Sequence, residues 1–124
     1  MPLSGVRILD MSQALSGPIC TRILADLGAD VIKIEPPITG EASRRMGTSF
    51  KGGESYYYMH LNRNKRGITV DLRTKEGLSI FEDLVMISDV VLDNFRPGVT
   101  TRLGIRYQHL KTINPTIICC SVSG

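Results

Sequence analysis

The chain has 124 residues, 42% of them hydrophobic, and a formal net charge of +3. This length suffices for one domain with its own core, and the balance of apolar and charged residues excludes an intrinsically disordered protein. No apolar run approaches the roughly 20 residues that span a bilayer, the first residues lack the pattern of a signal peptide, and so small a charge does not by itself indicate a nucleic-acid partner.

The cysteines and histidines give no sign of a metal site or a disulfide framework. Cys20, Cys119 and Cys120 are odd in number and their spacing fits neither. His60 and His109 have no cysteine or carboxylate partner at metal-site spacing. We therefore expect reduced thiols, no metal, and a cytoplasmic protein.

The first third of the chain alternates β-branched runs with an amphipathic run. Residues 6–10 predict a first strand, and residues 30–34 a second one that ends at Pro36. Between them, Gly17 and Pro18 open a helix, because proline suits a first helical turn. The buried face of this helix is predicted to contain Ile19, Ile23, Leu24 and Leu27.

A long polar stretch, residues 39–53, predicts a functional or mobile loop. Residues 55–62 fit a short helix or a strand equally well. Residues 67–72 predict a third strand, and Thr74 is a suitable N-cap for a second helix. The buried stripe of that helix is predicted to contain Leu78, Phe81, Leu84 and Val85.

The last third predicts two more strands, at residues 89–92 and 116–122, separated by two short helices at 97–103 and 107–113. Strands that alternate with helices are typical of an α/β fold with a parallel sheet. The final strand is apolar and would need cover on both faces, which indicates the front part of a larger structure or half of an intertwined assembly.

Ligands of parallel α/β sheets bind at the carboxyl ends of the strands. The sequence places its unusual residues at that edge: Gln13, Glu35, Arg73, Asn94 and Phe95. The turn at residues 10–18 could hold an anion on free amides at the helix start, or be an ordinary tight connection. It has neither the G-x-G-x-x-G spacing nor a P-loop.

A cationic segment, residues 62–66, reads Asn-Arg-Asn-Lys-Arg. It fits a solvated turn, and it also fits a phosphate-binding patch in which Arg and Lys supply charge-assisted hydrogen bonds. Arg44, Arg45, Arg73 and Arg102 could add to such a patch. Asn94 and Phe95 follow the fourth strand. They could bind the polar edge and cover the apolar ring of a ligand, or they could form a plain turn.

Several of these segments occur together in one known family. They are residues 2–10, 16–18, 24–36, 62–66, 70–72, 88–91, 94–98, 103–104 and 114–115. In this order they resemble the N-terminal part of the class III CoA-transferases, the formyl-CoA and carnitine CoA-transferase family. The related α-methylacyl-CoA racemases share much of the pattern, but the complete segment 62–66 is more similar to the transferases.

The resemblance implies that residues 1–124 are the N-terminal part of a CoA-binding, Rossmann-like domain in an interlocked homodimer. It implies acyl-CoA and carboxylic acids as substrates, with no nucleic acid and no membrane as partners. The residues implied to line the CoA and active-site groove are Gln13, Ala14, Leu15, Val70, Leu72, Arg73, Asn94, Phe95 and Arg102. Two positions vary against the family: Pro36 stands where a basic residue is often found, and some members carry His where Gln13 stands.

The resemblance also implies a nucleophilic aspartate that attacks the CoA thioester and forms an enzyme-bound mixed anhydride. In the family it follows the segment equivalent to residues 121–124, and none of the seven aspartates of this chain falls there. We therefore expect the chain alone to lack transferase activity. Two alternatives stay open: a fragment of a racemase-like enzyme, and a non-catalytic nucleotide-binding or dimerisation module.

Overall fold

The computed structural model describes residues 1–123, so Gly124 lies outside the described residues. The strands are β1 (Arg7–Asp10), β2 (Asp30–Glu35), β3 (Phe50–Lys51), β4 (Glu54–Ser55), β5 (Arg66–Thr69), β6 (Val90–Asp93) and β7 (Ile118–Ser121). The helices are α1 (Ser16–Asp26), α2 (Tyr56–Asn62), α3 (Lys75–Met86), α4 (Val99–Leu103) and α5 (Tyr107–Ile113), with a 3-10 turn at Ala42–Arg45.

Five strands form one parallel sheet in the order β5-β2-β1-β6-β7. The chain first builds outward from β1 and then crosses to its other side, which is the 3-2-1-4-5 order of doubly wound Rossmann sheets. The predicted α/β fold, a parallel sheet flanked by helices, is thereby confirmed. The reversal lies between β1 and β6, and ligands of such sheets bind outside the carboxyl ends of the strands at this point.

The register of the strands aligns the carboxyl ends of β1, β2, β5 and β6 at the same edge of the sheet. Asp10 at the end of β1 pairs with Lys33 of β2 and Leu92 of β6, and Glu35 at the end of β2 pairs with Thr69 of β5. The segments that follow these strands therefore meet at one edge. This edge carries residues 11–15, 70–73 and 94–95.

Two apolar clusters cover the two faces of the sheet. Leu9 belongs to the larger cluster, which includes Phe81 and Val85 of α3, both without exposed surface. Ile8 belongs to the smaller one, with Ala25 of α1. The side chains of consecutive residues of β1 thus pack on opposite faces of the sheet, as the two-residue period of a strand requires.

The predicted face of α1 is buried only in part: Leu24 packs against the smaller cluster, but two of the four residues are exposed. Ile23 and Leu27 are 49% and 42% exposed, whereas Pro18, Thr21 and Ala25 are buried. Small residues let the helix lie close to the sheet, and the hydroxyl of Thr21 donates a hydrogen bond of 2.6 Å to Asp10. Close approach and this polar contact decide the orientation of α1, and a pattern of large apolar residues does not show either.

Four further segments test the predictions: residues 39–53 and 67–72 differ from them, residues 55–62 decide between two alternatives, and the last strand is exposed as expected. Residues 39–53 contain the 3-10 turn and the first strand of a small antiparallel hairpin, β3–β4. Residues 55–62 form α2, capped by Ser55. The third predicted strand ends at Thr69; Val70 still donates its N–H to the carbonyl of Glu35 at 2.9 Å, and residues 71–72 lie beyond the strand. The last strand is exposed, with Ile118 at 61%. Thr74 caps α3 as predicted.

A network of buried charges lies beneath α1. Asp10 has no exposed surface, and its Oδ2 atom accepts a hydrogen bond of 2.9 Å from Lys65 Nζ, with Lys33 Nζ at 3.9 Å. The side chains of both lysines are 1% exposed. Burial alone would raise the pKa of Asp10, but the two lysine charges and hydrogen bonds from two hydroxyl groups outweigh it and hold this pKa below its usual range. Burial lowers the pKa of Lys65.

The cationic segment 62–66 is therefore engaged with carboxylates. Lys65 points inward, Arg63 binds Asp26 at 2.7 Å, and Arg66 binds Asp30 at 2.7 Å. Asp26 ends α1 and Asp30 begins β2, so both arginine pairs lie at the amino edge of the sheet. This placement does not favour the phosphate-patch interpretation of this segment.

A second network attaches residues 39–53 to the end of β2. Glu35 accepts hydrogen bonds from Arg44 Nε (2.7 Å) and Nη2 (2.8 Å), from Tyr58 OH (2.7 Å) and from the backbone N–H of Glu41 (2.7 Å). Burial alone would raise the pKa of Glu35, but these donors, first among them Arg44, hold it at about 2. The pKa of Tyr58 is raised, by burial first and then by its bond to Glu35.

We predict that Lys65→Met destabilises the fold by about 3 kcal/mol or more, because it leaves the carboxylate of Asp10 buried with one partner fewer. The matched control, Arg63→Met, removes an exposed ion pair and should cost less than about 1 kcal/mol. Urea unfolding of both variants measures the two losses. Equal, small losses would show that the buried pair is not needed for stability.

We also predict that Glu35 makes the fold acid-sensitive. Its pKa in the folded state, about 2, lies below its ordinary value of 4.5, so its contribution is complete above pH 4.5 and is lost as the pH falls toward 2. This contribution is of the order of 3 kcal/mol. The stability gap between the wild type and Glu35→Gln should narrow from neutral pH to pH 3. A constant gap for Glu35→Gln would contradict the prediction.

Candidate functional site

A cleft of about 160 Å³ opens at the carboxyl edge of the sheet. It contains five of the predicted binding residues: Gln13, Val70, Leu72, Arg73 and Phe95. Its remaining walls are mostly apolar, with Met11, Ile34, Pro36 and Leu103, and Glu35 and Asp71 complete the lining. A cleft of this kind, apolar with a few polar groups at its rim, suits a flat apolar ligand part joined to a charged one.

A second groove, of about 480 Å³, adjoins the cleft. The two share Leu72, Arg73 and Leu103, and the groove adds Lys75 and Arg102. Three cationic side chains thus lie along one continuous surface. Such side chains bind phosphate groups through charge-assisted hydrogen bonds.

Arg73 is held by a neighbouring carboxylate. Its Nε and Nη2 atoms donate hydrogen bonds of 2.8 and 2.9 Å to Asp71, and its side chain is 77% exposed. Asp71 raises the pKa of Arg73, and Arg73 lowers that of Asp71. Exposed ion pairs are weak, so a ligand phosphate can replace this carboxylate.

Asn94 lies behind the cleft and fixes the loop that follows β1, here called the Gln13 loop (residues 11–15). Its Oδ1 atom accepts a hydrogen bond from the backbone N–H of Gln13, and its Nδ2 donates one to the carbonyl of Gln13, both at 2.7 Å. Phe95 follows with its ring against the main core cluster and its N–H bonded to Asp93. Asn94 therefore orients a wall of the cleft.

Two predicted residues of the Gln13 loop do not line the cleft. Ala14 donates its backbone N–H to Glu41 Oε1 at 2.8 Å, and Leu15 is 51% exposed at the start of α1. The structure thus gathers Gln13, Val70, Leu72, Arg73 and Phe95 in the cleft and Arg102 in the adjoining groove, with Asn94, Ala14 and Leu15 outside their linings. That these residues bind a ligand stays a prediction.

Sequence reasoning missed two features of this edge. Lys75 lies in the groove two residues after Arg73, and its position in the first turn of α3 is a signal that the sequence offered. Lys33 and Glu41 are buried behind the Gln13 loop. The signal for Lys33 was a lysine inside an apolar strand, because a buried lysine requires a buried partner.

No helix within residues 1–123 is both long and apolar enough to cross a membrane. No group of three or more His, Cys, Asp or Glu side chains is arranged to hold a metal ion within that range.

The sequence model of CoA-transferase family III matches residues 3–124 of this chain. Succinyl-CoA:glutarate CoA-transferase from Homo sapiens is 43% identical over 123 residues, which are 99% of this chain and 28% of that protein. Formyl-CoA:oxalate CoA-transferase from Afipia carboxidovorans is 43% identical over 122 residues, 98% of this chain and 29% of that protein.

Among solved structures, a CAIB/BAIF family protein from Brucella suis matches with a TM-score of 0.93 and 41% identity. The match covers 100% of this chain and 34% of that one. The chain thus spans about a third or less of the length of these relatives. Because the family model matches nearly every residue, the chain belongs to CoA-transferase family III.

Proposed function

We propose that this chain is the N-terminal, CoA-binding segment of an enzyme that transfers CoA between acyl-CoA thioesters and carboxylic acids. The observation that carries the proposal is the cleft with its cationic groove at the carboxyl edge of the sheet, beside the reversal between β1 and β6. The names of the two relatives described above, both CoA-transferases, support the same activity.

The shape and charge of the site fit the parts of CoA. An adenine ring needs a flat apolar slot, and the walls formed by Val70, Leu72 and Phe95 offer one. Phosphate groups bind cationic side chains through charge-assisted hydrogen bonds, and Arg73 and Arg102 lie along the adjoining groove. We therefore assign the adenine to the cleft and the phosphates to the groove.

The chain is proposed to supply binding and not the nucleophile. Asp71, the aspartate that lines the cleft, is held by Arg73, and Asp10 is buried beneath α1. Asp93 accepts hydrogen bonds from the N–H of Phe95 and the hydroxyl of Ser121. These carboxylates have structural partners, which is consistent with an attacking aspartate that lies outside this segment.

The proposal also covers the domain, the compartment, the oligomeric state and the partners of the protein. Residues 1–124 would be the first part of a Rossmann-like CoA-binding domain of a cytoplasmic homodimer, without a metal and without nucleic-acid or membrane partners. A racemase-like fragment and a non-catalytic module remain as alternatives, but the relatives named above do not favour either.

We predict that the 124-residue chain binds CoA and that Arg73→Ala and Arg102→Ala each weaken binding about tenfold, the effect of one lost charge-assisted hydrogen bond. The control Arg66→Ala removes a cation that binds Asp30 at the amino edge, and should leave the affinity unchanged. Calorimetric titration measures the CoA affinity of the wild type and of the three variants. A wild type that does not bind CoA would overturn the proposal, and a tenfold loss in Arg66→Ala would place the ligand at the other edge.

We predict no transferase turnover by the chain alone, because the nucleophile is proposed to lie outside it. The purified 124-residue chain would be incubated with an acyl-CoA and a free carboxylate acceptor, and new acyl-CoA would be measured by chromatography. A full-length family member under the same conditions is the positive control. Measurable turnover would show that one of the seven aspartates, or another group, performs the attack.

A further inference from the structure

We infer that Glu41 is a positioning residue of the CoA site: its buried carboxylate holds the backbone of the Gln13 loop in the shape that presents Gln13 to the cleft. The inference rests on the proposed function and adds to it a residue outside the cleft. Glu41 is 1% exposed and does not line the cleft, so it would act through the loop and not on the ligand.

The Gln13 loop is held by side chains from three separate parts of the chain. Lys33 of β2 donates a hydrogen bond to the carbonyl of Ser12. Asn94, after β6, binds both the N–H and the carbonyl of Gln13. Glu41, from the segment after β2, accepts the N–H of Ala14 at 2.8 Å. Four backbone polar groups of this loop thus have side-chain partners that are distant in sequence.

The bond to Ala14 is needed because of the backbone conformation there. Ala14 has a φ of +65°, in the left-handed region that residues other than glycine rarely adopt. Such a conformation persists only where the surroundings impose it. Glu41 and Asn94 both bind the peptide group between Gln13 and Ala14, Glu41 at its N–H and Asn94 at its carbonyl. Asn94 also accepts the N–H of the preceding peptide group.

Glu41 also connects the two walls of the cleft. Its backbone N–H donates a hydrogen bond of 2.7 Å to Glu35 Oε2, and Glu35, like Gln13, lines the cleft. The Oε2 atom of Glu41 accepts a hydrogen bond from Ser43 and lies 3.5 Å from Lys33 Nζ. One residue therefore fixes the distance between Glu35 and Gln13.

The test combines amide hydrogen exchange, measured by NMR, with calorimetric titration of CoA on the 124-residue chain. In Glu41→Ala, the amide of Ala14 should exchange at least about tenfold faster, while the amide of Phe81 in α3 keeps its protection. CoA affinity should fall about fivefold or more. Glu41→Gln keeps an oxygen for the Ala14 amide but loses the charge that faces Lys33, so its CoA affinity should fall less than that of Glu41→Ala.

A double-mutant cycle tests whether Glu41 acts through Gln13. Gln13→Ala should weaken CoA binding in the wild type and have little further effect in Glu41→Ala, because the side chain is then already misplaced. Glu82→Ala, which removes a carboxylate that binds His109 away from the cleft, is the matched control. It should change neither the exchange of Ala14 nor the affinity.

Three results would overturn the inference: unchanged exchange at Ala14 in Glu41→Ala, fully additive effects in the cycle, or equal losses in Glu41→Gln and Glu41→Ala together with faster exchange at Phe81. A wild type that does not bind CoA would instead overturn the proposed function. The exchange of Ala14 is measured without ligand, so the two failures are distinguishable.

Discussion

Two buried lysines hold together the segments that surround the cleft. Lys65 joins the end of β1 to the segment before β5 through Asp10, and Lys33 lies between Asp10 and Glu41. An uncompensated charge in the interior costs several kcal/mol, so each of these groups requires its partners. The sheet, the Gln13 loop and the segment after β2 therefore form one unit, and the shape of the cleft depends on that unit.

Much of the fold follows from local patterns in the sequence. The β-branched runs locate the five strands of the sheet, Thr74 locates the start of α3, and strand–helix alternation implies parallel pairing. Parallel pairing in turn places the segments after β1, β5 and β6 at one edge, which is why Gln13, Arg73 and Phe95 could be expected to lie close together.

Other features depend on contacts between residues far apart in sequence, which periodicity does not show. The buried face of α1 is set by the bond between Thr21 and Asp10. Lys65 lies in a segment that resembles a solvated cationic patch, yet its charge is neutralised 55 positions away, at Asp10. Glu41 lies in a glycine-rich stretch without apolar pattern, where no local signal marks a buried carboxylate.

In the groove, the carboxylate of Asp71 would compete with an anionic ligand for the guanidinium of Arg73. An anion that binds the Nε–Nη2 side of the guanidinium must displace a carboxylate that already accepts two parallel hydrogen bonds there. A doubly charged oxyanion exchanges with that carboxylate more readily than a singly charged one, because it offers more charge at the same geometry. At the proposed CoA site, a phosphate group would therefore replace this carboxylate more readily than a singly charged anion would, and selectivity would depend on what is released as much as on what is bound.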